Sequence, residues 1–321
     1  LNRRLKKSLK LFLPILLGVL LLWYSYYITS AEDREQIVRY IREADMSWVG
    51  LSVLIGILSH VSRAIRWNYL LEPIGYRSRV SNNVLIILIA YFTNLGIPRS
   101  GEVLRATALT SYEGVPFEKG FGTIVTERVI DLIMLLLIIT ITLFLQTDIL
   151  LDFLDGRGVS MVGMLVLLAA GIFSLFLLLA FLRRSSNRWV IKAKNLVKGL
   201  LDGVMSIFKM KKKWPFLWHT LFIWACYIGM FWVIKYTVPE TQGLSLDQIL
   251  VGFVAGAFAM STTNGGIGLY PIAVSGALAI YGISEVSGDA FGWIMWIAQT
   301  LMVVVFGAIS FLLLPLLNRN R

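Results

Sequence analysis

Asn94-Leu-Gly-Ile-Pro-Arg-Ser-Gly-Glu102 and Thr262-Thr-Asn-Gly-Gly-Ile-Gly-Leu-Tyr-Pro271 each interrupt an apolar stretch that would otherwise cross a membrane. Non-helical backbone at membrane depth leaves N–H and C=O groups without partners, at several kcal/mol each, unless it faces protein or a watery cavity. Two such breaks at corresponding places in two halves of a chain point to the central binding site of a transporter.

Composition fixes the class. Hydrophobic residues make up 57% of the chain and charged residues only 15%, in apolar runs near the roughly 20 residues that a helix needs to cross a bilayer. The fold class expected is an all-α polytopic membrane protein. Segment 9–28 is too long for a signal peptide and lacks a small-residue cleavage site, so it reads as a retained span. Cys226 is the one cysteine, and His60 and His219 carry no ligand spacing, so no metal site and no cofactor are expected. The net charge of +11 suits cytoplasmic loops on anionic lipid rather than nucleic acid.

Charge also sets the topology. Arg3, Arg4, Lys6, Lys7 and Lys10 place the N-terminus in the cytoplasm, and the basic amphipathic segment 183–213 and Arg319 belong on the same side. The acidic connections 146–158 and 237–247, and the weaker 30–45, belong outside. This parity holds if 9–28, 47–71, 120–145, 159–182, 215–236 and 288–316 cross fully. Segments 83–113 and 248–283 must then be re-entrant hairpins entering from opposite sides. Six spans plus two hairpins form an inverted repeat, 9–145 against 159–316, at an offset of about 168 residues. Ile37, Tyr40, Ile41 and Ala44 mark a short amphipathic helix outside.

Ionisable side chains inside a membrane are costly and default to a functional reading. The first hairpin carries Arg99, Glu102 and Arg105; the next span carries Glu127, Arg128 and Asp131; the span before the hairpin carries His60, Arg63 and Arg66. All lie toward the cytoplasmic side and could wall a vestibule open to it. Arg99, Arg105, Arg63 and Arg66 are the candidate head-group ligands, because a guanidinium meets a phosphate bidentately. Glu102, Glu127, Arg128 and Asp131 are the candidate gating network. The plainer alternatives are snorkelling for Arg63 and Arg66 and a static ion-pair network for the residues around Glu127. Lys235, near the outer end of its span, reads as a snorkelling anchor. The second hairpin is uncharged, and Thr262, Thr263, Asn264, Gly265, Gly266, Gly268 and Tyr270 would form its facing wall. No nucleophile elbow, phosphate-binding glycine loop or zinc-binding helix stands out, so no enzymatic activity is expected.

Pro98-Arg-x-Gly-Glu-x-x-Arg105, Glu127-Arg-x-x-Asp131 and Asn264-Gly-Gly-Ile-Gly268 together resemble the transmembrane region of lysylphosphatidylglycerol synthases, which includes stand-alone flippase-like proteins. The resemblance covers nearly the whole chain. It implies two re-entrant hairpins facing each other across a lipid-accessible cavity, and movement of a lipid between leaflets. Two departures stand out. The soluble aminoacyl-transferase domain is missing, so lipid lysylation is not expected. The acidic residue that relatives often carry after the second glycine motif is replaced by Leu269-Tyr270-Pro271.

The expected function is translocation of an anionic phospholipid or a polyprenyl-phosphate-linked intermediate in a bacterial-type inner membrane, with both termini cytoplasmic. A coupled transporter of a small water-soluble anion is one alternative. A non-transporting membrane partner of a lipid-modifying enzyme is the other.

Overall fold

The computed structural model describes residues 16, 19–147 and 210–319, and all regular structure among them is helical. Segment 159–182 and most of 183–213 lie outside the described residues. Helix α1 covers Val19–Ile28 and α2 covers Ala31–Glu43. Helices α3 (Met46–Leu71), α4 (Val80–Gly96), α5 (Ser100–Glu113) and α6 (Phe117–Leu145) follow. After the undescribed stretch come α7 (Lys213–Ile234), α8 (Leu246–Thr262), α9 (Leu269–Ala279) and α10 (Glu285–Leu317).

Four of these, α3, α6, α7 and α10, are long and apolar enough to cross a bilayer. They occupy the expected spans 47–71, 120–145, 215–236 and 288–316. The amphipathic helix expected around Ile37 is α2, with Ile37 buried.

The chain divides into two compact units, residues 1–127 with 212–321, and residues 128–211. The described part of the second is chiefly the remainder of α6. There Thr140 and Thr142 donate their hydroxyls to carbonyls one turn back, which satisfies them without water. Apart from Arg128 and Asp131, the candidate site residues lie in the first unit.

Local chemistry sets the helix ends. Ser30, Asp45 and Ser284 cap α2, α3 and α10 by accepting a backbone N–H. Ser245 and Gln248 make a reciprocal capping box on α8. Gly75 and Gly114 close the ends of α3 and α5 in the left-handed conformation.

Helices α4 and α5 form a tight hairpin. Glu113, the last residue of α5, accepts from the backbone N–H of Arg79 at 3.2 Å and from its Nε at 3.1 Å, just before α4 begins. A Cβ on Gly101 would lie 2.4 Å from the Ala90 carbonyl oxygen, so only glycine lets the two arms approach this closely. Helices α8 and α9 pair similarly. The Tyr270 ring fills the space over Gly256, where a Cβ would sit 2.9 Å away.

The open ends of the two hairpins lie at opposite ends of this unit. Around α4 and α5, Arg79 bonds Asn318 at the end of α10, and Lys212 pairs with Glu72 at 2.9 Å. Arg77, Lys119, Lys213 and Arg319 make this end basic. Around α8 and α9, Glu240 accepts from the N–H and hydroxyl of Ser284, and Trp48 stacks on Tyr236 at 4.5 Å. Asp45, Asp247 and Glu285 make that end acidic.

Lys235 departs from the snorkelling expected of it. It is buried, donates to the Leu244 carbonyl at 2.7 Å and lies 3.7 Å over the Trp232 ring. The Leu244 carbonyl, in the connection before α8, takes one of the ammonium N–H groups, and the Trp232 ring lies over the charge.

The second half of the unit is packed with apolar side chains: Phe231, Ile234, Val274, Leu278, Phe291 and Met295 form one cluster, with Phe231 and Phe291 edge-to-face at 4.8 Å. In lipid such packing stabilises through close van der Waals fit rather than water release. Helix α7 lies along α3, where the Ser52 hydroxyl donates to the Met230 carbonyl at 3.1 Å.

Candidate functional site

The two sequence breaks meet. The Asn264 side chain donates to the Leu95 carbonyl at 2.7 Å, across 169 positions of sequence. Trp296 on α10 donates its indole N–H to the Gly265 carbonyl at 2.8 Å. On the first hairpin, Asn94 accepts the Gly101 N–H at 2.7 Å and so caps the start of α5. Each break thus satisfies part of its exposed backbone with a side chain, as irregular backbone in an apolar setting requires.

Both breaks turn through the left-handed region. Gly265, Gly266 and Gly268 have φ of 63°, 78° and 74°, which glycine adopts freely. In the first hairpin the corresponding turn falls on Arg99, at φ 61°, the one non-glycine residue with positive φ among those described. Arg99 immediately precedes α5, as Gly268 immediately precedes α9. A Cβ in this conformation costs roughly 1–2 kcal/mol. The side chain that imposes the strain is exposed and makes no hydrogen bond or ion pair among the described residues.

Behind the tip lies a buried charge cluster centred on Glu127. Arg105 binds the carboxylate bidentately, at 3.0 and 3.1 Å. Arg63 donates to Oε1 at 2.5 Å, and Arg66 approaches the same oxygen at 3.8 Å. Their second contacts come from the other half: Arg63 donates to the Tyr227 hydroxyl at 2.8 Å and Arg66 to Thr220 at 3.1 Å. The Arg105 guanidinium stacks 4.2 Å over Trp67, whose indole N–H reaches Thr123 at 2.9 Å. None of the four charged side chains is more than 3% exposed. Removing charges from water costs several kcal/mol per ion unless the geometry and supporting hydrogen bonds are good. The bidentate pair and the bonds to Tyr227 and Thr220 supply much of this, while the buried Arg105 Nε finds no hydrogen-bond partner among the described residues.

Arg63 sits eight residues before the end of α3 and Glu127 ten after the start of α6, so at 1.5 Å per residue the cluster lies about 12–15 Å in from the basic end. His60, one turn before Arg63, tilts against Tyr91 of α4 at 4.7 Å.

Of the residues singled out from the sequence, Arg63, Arg66, Arg105 and Glu127 come together in this packed cluster, while Arg99 stands apart on the hairpin tip. Glu102 is half-buried on α5. Arg128 and Asp131 continue α6 past Glu127 in the second unit. In the second hairpin, Thr262 and Thr263 return their hydroxyls to carbonyls one turn back, at 2.8 and 3.3 Å, Gly266 is closed over by Met260 and Tyr270, and Tyr270 is buried.

Tyr227, Thr220 and Trp67 complete the cluster and were not legible in the sequence. Nothing local marks the Tyr227 and Thr220 hydroxyls as partners for arginines 164 and 154 positions earlier, or the Trp67 ring as the platform for Arg105. Asn94 had a signal, lying inside the quoted break seven residues before Gly101, whose N–H it caps.

No solved structure matches this chain. It is 28% identical over 131 residues to the glycosyltransferase AglD of Haloferax volcanii, covering 40% of this chain and 20% of the relative. It is 30% identical over 100 residues to a UPF0104 membrane protein of Methanocaldococcus jannaschii, covering 30% of each. The chain therefore spans well under two thirds of the length of these relatives. The family model for the lysylphosphatidylglycerol synthase TM region matches residues 11–307. With four membrane-length helices and a match over nearly its whole length, the chain is an integral membrane protein of the lysylphosphatidylglycerol synthase transmembrane family.

Proposed function

We propose that the protein moves an anionic lipid or lipid-linked intermediate between leaflets, its head group taken between two re-entrant hairpins related as an inverted repeat. The observation that carries this reading is Arg99. A strained backbone at a hairpin tip persists where function holds it, and this one presents an uncommitted guanidinium beside the junction of the two breaks. An arginine there suits a phosphate group, from a phospholipid or a polyprenyl-phosphate-linked species.

Several features support the repeat. Helices α4 and α8 each have 17 residues, and α3 and α7 each end in a three-residue 3-10 turn. The hairpins open toward opposite ends, one basic and one acidic. The basic end then belongs in the cytoplasm, with both termini, by the excess of Lys and Arg there.

In this reading Arg99 makes the first contact. Arg63, Arg66 and Arg105 become available only when the cluster opens, a phosphate competing with Glu127 for their donors. Glu102 completes the gate within this unit, and Thr262 to Tyr270 form the opposing wall. The lipid tail stays in the bilayer, and the membrane is of the bacterial inner type.

The test is transbilayer movement of a labelled anionic lipid in proteoliposomes. Arg99→Gly is expected to abolish exchange while leaving the protein folded, and Arg99→Lys to restore part of it. Wild-type exchange by Arg99→Gly would overturn the assignment.

A second reading, a membrane partner for a lipid-modifying enzyme, is favoured by one observation: a relative named as a glycosyltransferase carries the similar stretch as a fifth of its length. It expects no exchange by the purified protein and a loss of the enzyme's activity when the chain is deleted.

A further inference from the structure

An open groove of about 800 Å³ lies at the acidic end of the unit, between α1, α2 and the first turns of α10, with Arg39, Arg42, Glu35 and Glu43 on its exposed rim. It is remote in sequence from the hairpin tips and from the Glu127 cluster. Leu22, Tyr26, Ile37, Val38, Ile41 and Trp293 supply its apolar lining. The charged lining is mixed: Arg34, Arg39 and Arg42 against Glu35, Glu43 and Asp289. This volume is in the range of small-molecule sites.

Helix α2 brings both signs, Glu35 and Glu43 among its three arginines, and α10 brings Asp289. Arg39 and Arg42 lie three apart on α2, a spacing that brings two guanidiniums to one face. Arg42 makes no hydrogen bond or ion pair among the described residues, and Arg39 only approaches Glu35 at 4.0 Å. Across the groove, Asp289 and Trp293 lie four apart on α10, a carboxylate and an indole stacked along one face. A carboxylate beside an aromatic face suits an alkylammonium, and paired guanidiniums suit a phosphate. Arg34 belongs to neither pair: it donates to the Tyr26 carbonyl at 2.8 Å and lies 4.0 Å over the Tyr26 ring, fastening α1 to α2.

The surroundings indicate where the ligand comes from. Trp23, Tyr24, Tyr26 and Tyr27 of α1 are all more than half exposed, with Trp23 stacked on Tyr27 at 5.7 Å. Clustered exposed aromatics of this kind mark head-group level in a bilayer.

We propose that this groove binds the head group of a zwitterionic aminophospholipid, its phosphate held by Arg39 and Arg42 and its ammonium by Asp289 against Trp293. The apolar wall formed by Leu22 and Tyr26 leads the acyl chains out to the bilayer. The assignment does not rest on the translocation reading, and concerns a different end of the molecule.

The experiment is native mass spectrometry of the full chain with an equimolar mixture of dioleoyl phosphatidylethanolamine and dioleoyl phosphatidylglycerol. The two share phosphate and tails and differ in the ammonium. The wild-type protein should retain the ethanolamine lipid about tenfold over the glycerol lipid, as expected of one desolvated ammonium contact. Asp289→Asn should bring the ratio close to one, whereas Arg39→Gln with Arg42→Gln should weaken retention of both lipids and keep the ratio. Trp293→Leu, which keeps apolar bulk while removing the ring, provides the second variant and should lower the ratio as well. Equal retention by the wild-type protein, or a wild-type ratio in both Asp289→Asn and Trp293→Leu, would overturn the proposal.

Discussion

Asn264 hands one amide N–H to the Leu95 carbonyl over 2.7 Å, and through this bond the two interrupted segments hold each other's ends. The bond joins residues at the same place in each hairpin, one before the left-handed turn of Arg99 and the other before that of Gly268. Asn264→Ala removes the donor and leaves a part-buried carbonyl without this partner. The expected loss is about 1–3 kcal/mol, read as a lower midpoint in thermal unfolding in detergent. An unchanged midpoint would mean that the tips are held by packing alone.

The strain at Arg99 gives a prediction in the opposite direction. Arg99→Gly relieves a Cβ at φ 61°, worth roughly 1–2 kcal/mol, and loses part of this to the greater freedom of an unfolded glycine. The variant should therefore be at least as stable as the wild type while losing lipid exchange. A clear drop in thermal midpoint would show that the guanidinium has a structural role.

Arg63, Arg66 and Arg105 all reach the carboxylate of Glu127. Glu127→Gln keeps the shape and removes the charge, and breaking a buried ion pair in this way costs about 3–5 kcal/mol. Combining it with Arg63→Met should cost less than the sum of the two single changes, a coupling that a double-mutant cycle reads directly. Additive losses would mean that the two groups do not interact.

Small residues set how closely α9 and α10 approach. A Cβ on Gly292 would lie 2.6 Å from the Pro271 Cα, and backbone cannot yield as a flexible side chain does. Gly292→Ala should destabilise by about 1–3 kcal/mol through overpacking. Gly276, on α9 with nothing within 4 Å of its would-be Cβ, is the control: Gly276→Ala should be neutral or gain a few tenths of a kcal/mol from helix propensity.

At the acidic end, the Ser284 backbone N–H, with help from the hydroxyls of Ser284 and Ser287, holds the Glu240 carboxyl below its ordinary range, against a smaller opposing effect of burial. A depressed folded-state value means that the ionised form stabilises the fold. That contribution is complete above the ordinary carboxylate range and is lost as pH falls through the depressed value. Glu240→Gln should flatten the acid limb of thermal stability between pH 5 and pH 3 relative to the wild type, as the linkage requires. An identical acid limb in both proteins would assign the effect to other carboxylates.

Much of the architecture was legible because periodic apolar length and Gly/Pro interruptions are local signals. The spans now seen as α3, α6, α7 and α10, the breaks at Gly96-Pro98 and Gly265-Gly266, and the amphipathic face of α2 were all read from them. The cost of ionisable side chains in apolar segments also announced Arg63 and Arg66 on α3 and Arg105 on α5 as candidates. Spacing says which residues share a face, not what that face meets, so their packing around Glu127 emerged only in three dimensions. Lys235 shows the same limit: its approach to the Leu244 carbonyl depends on a turn that returns the chain over the helix end. The left-handed backbone of Arg99 was invisible for a different reason, since arginine carries no propensity for it and the turn geometry imposes it.

The buried arginines also depend on residues that do not yet exist when they are made. Thr220 and Tyr227, which complete the shells of Arg66 and Arg63, follow them by 154 and 164 positions. At roughly 5–20 residues per second on the ribosome, that is an interval of about 8–30 s. For that interval the nascent first half carries guanidiniums into the membrane with only the nearer groups to receive them. Glu127 is made much earlier, 64 residues after Arg63, about 3–13 s later at the same rate, so the counter-charge precedes the other partners by many seconds.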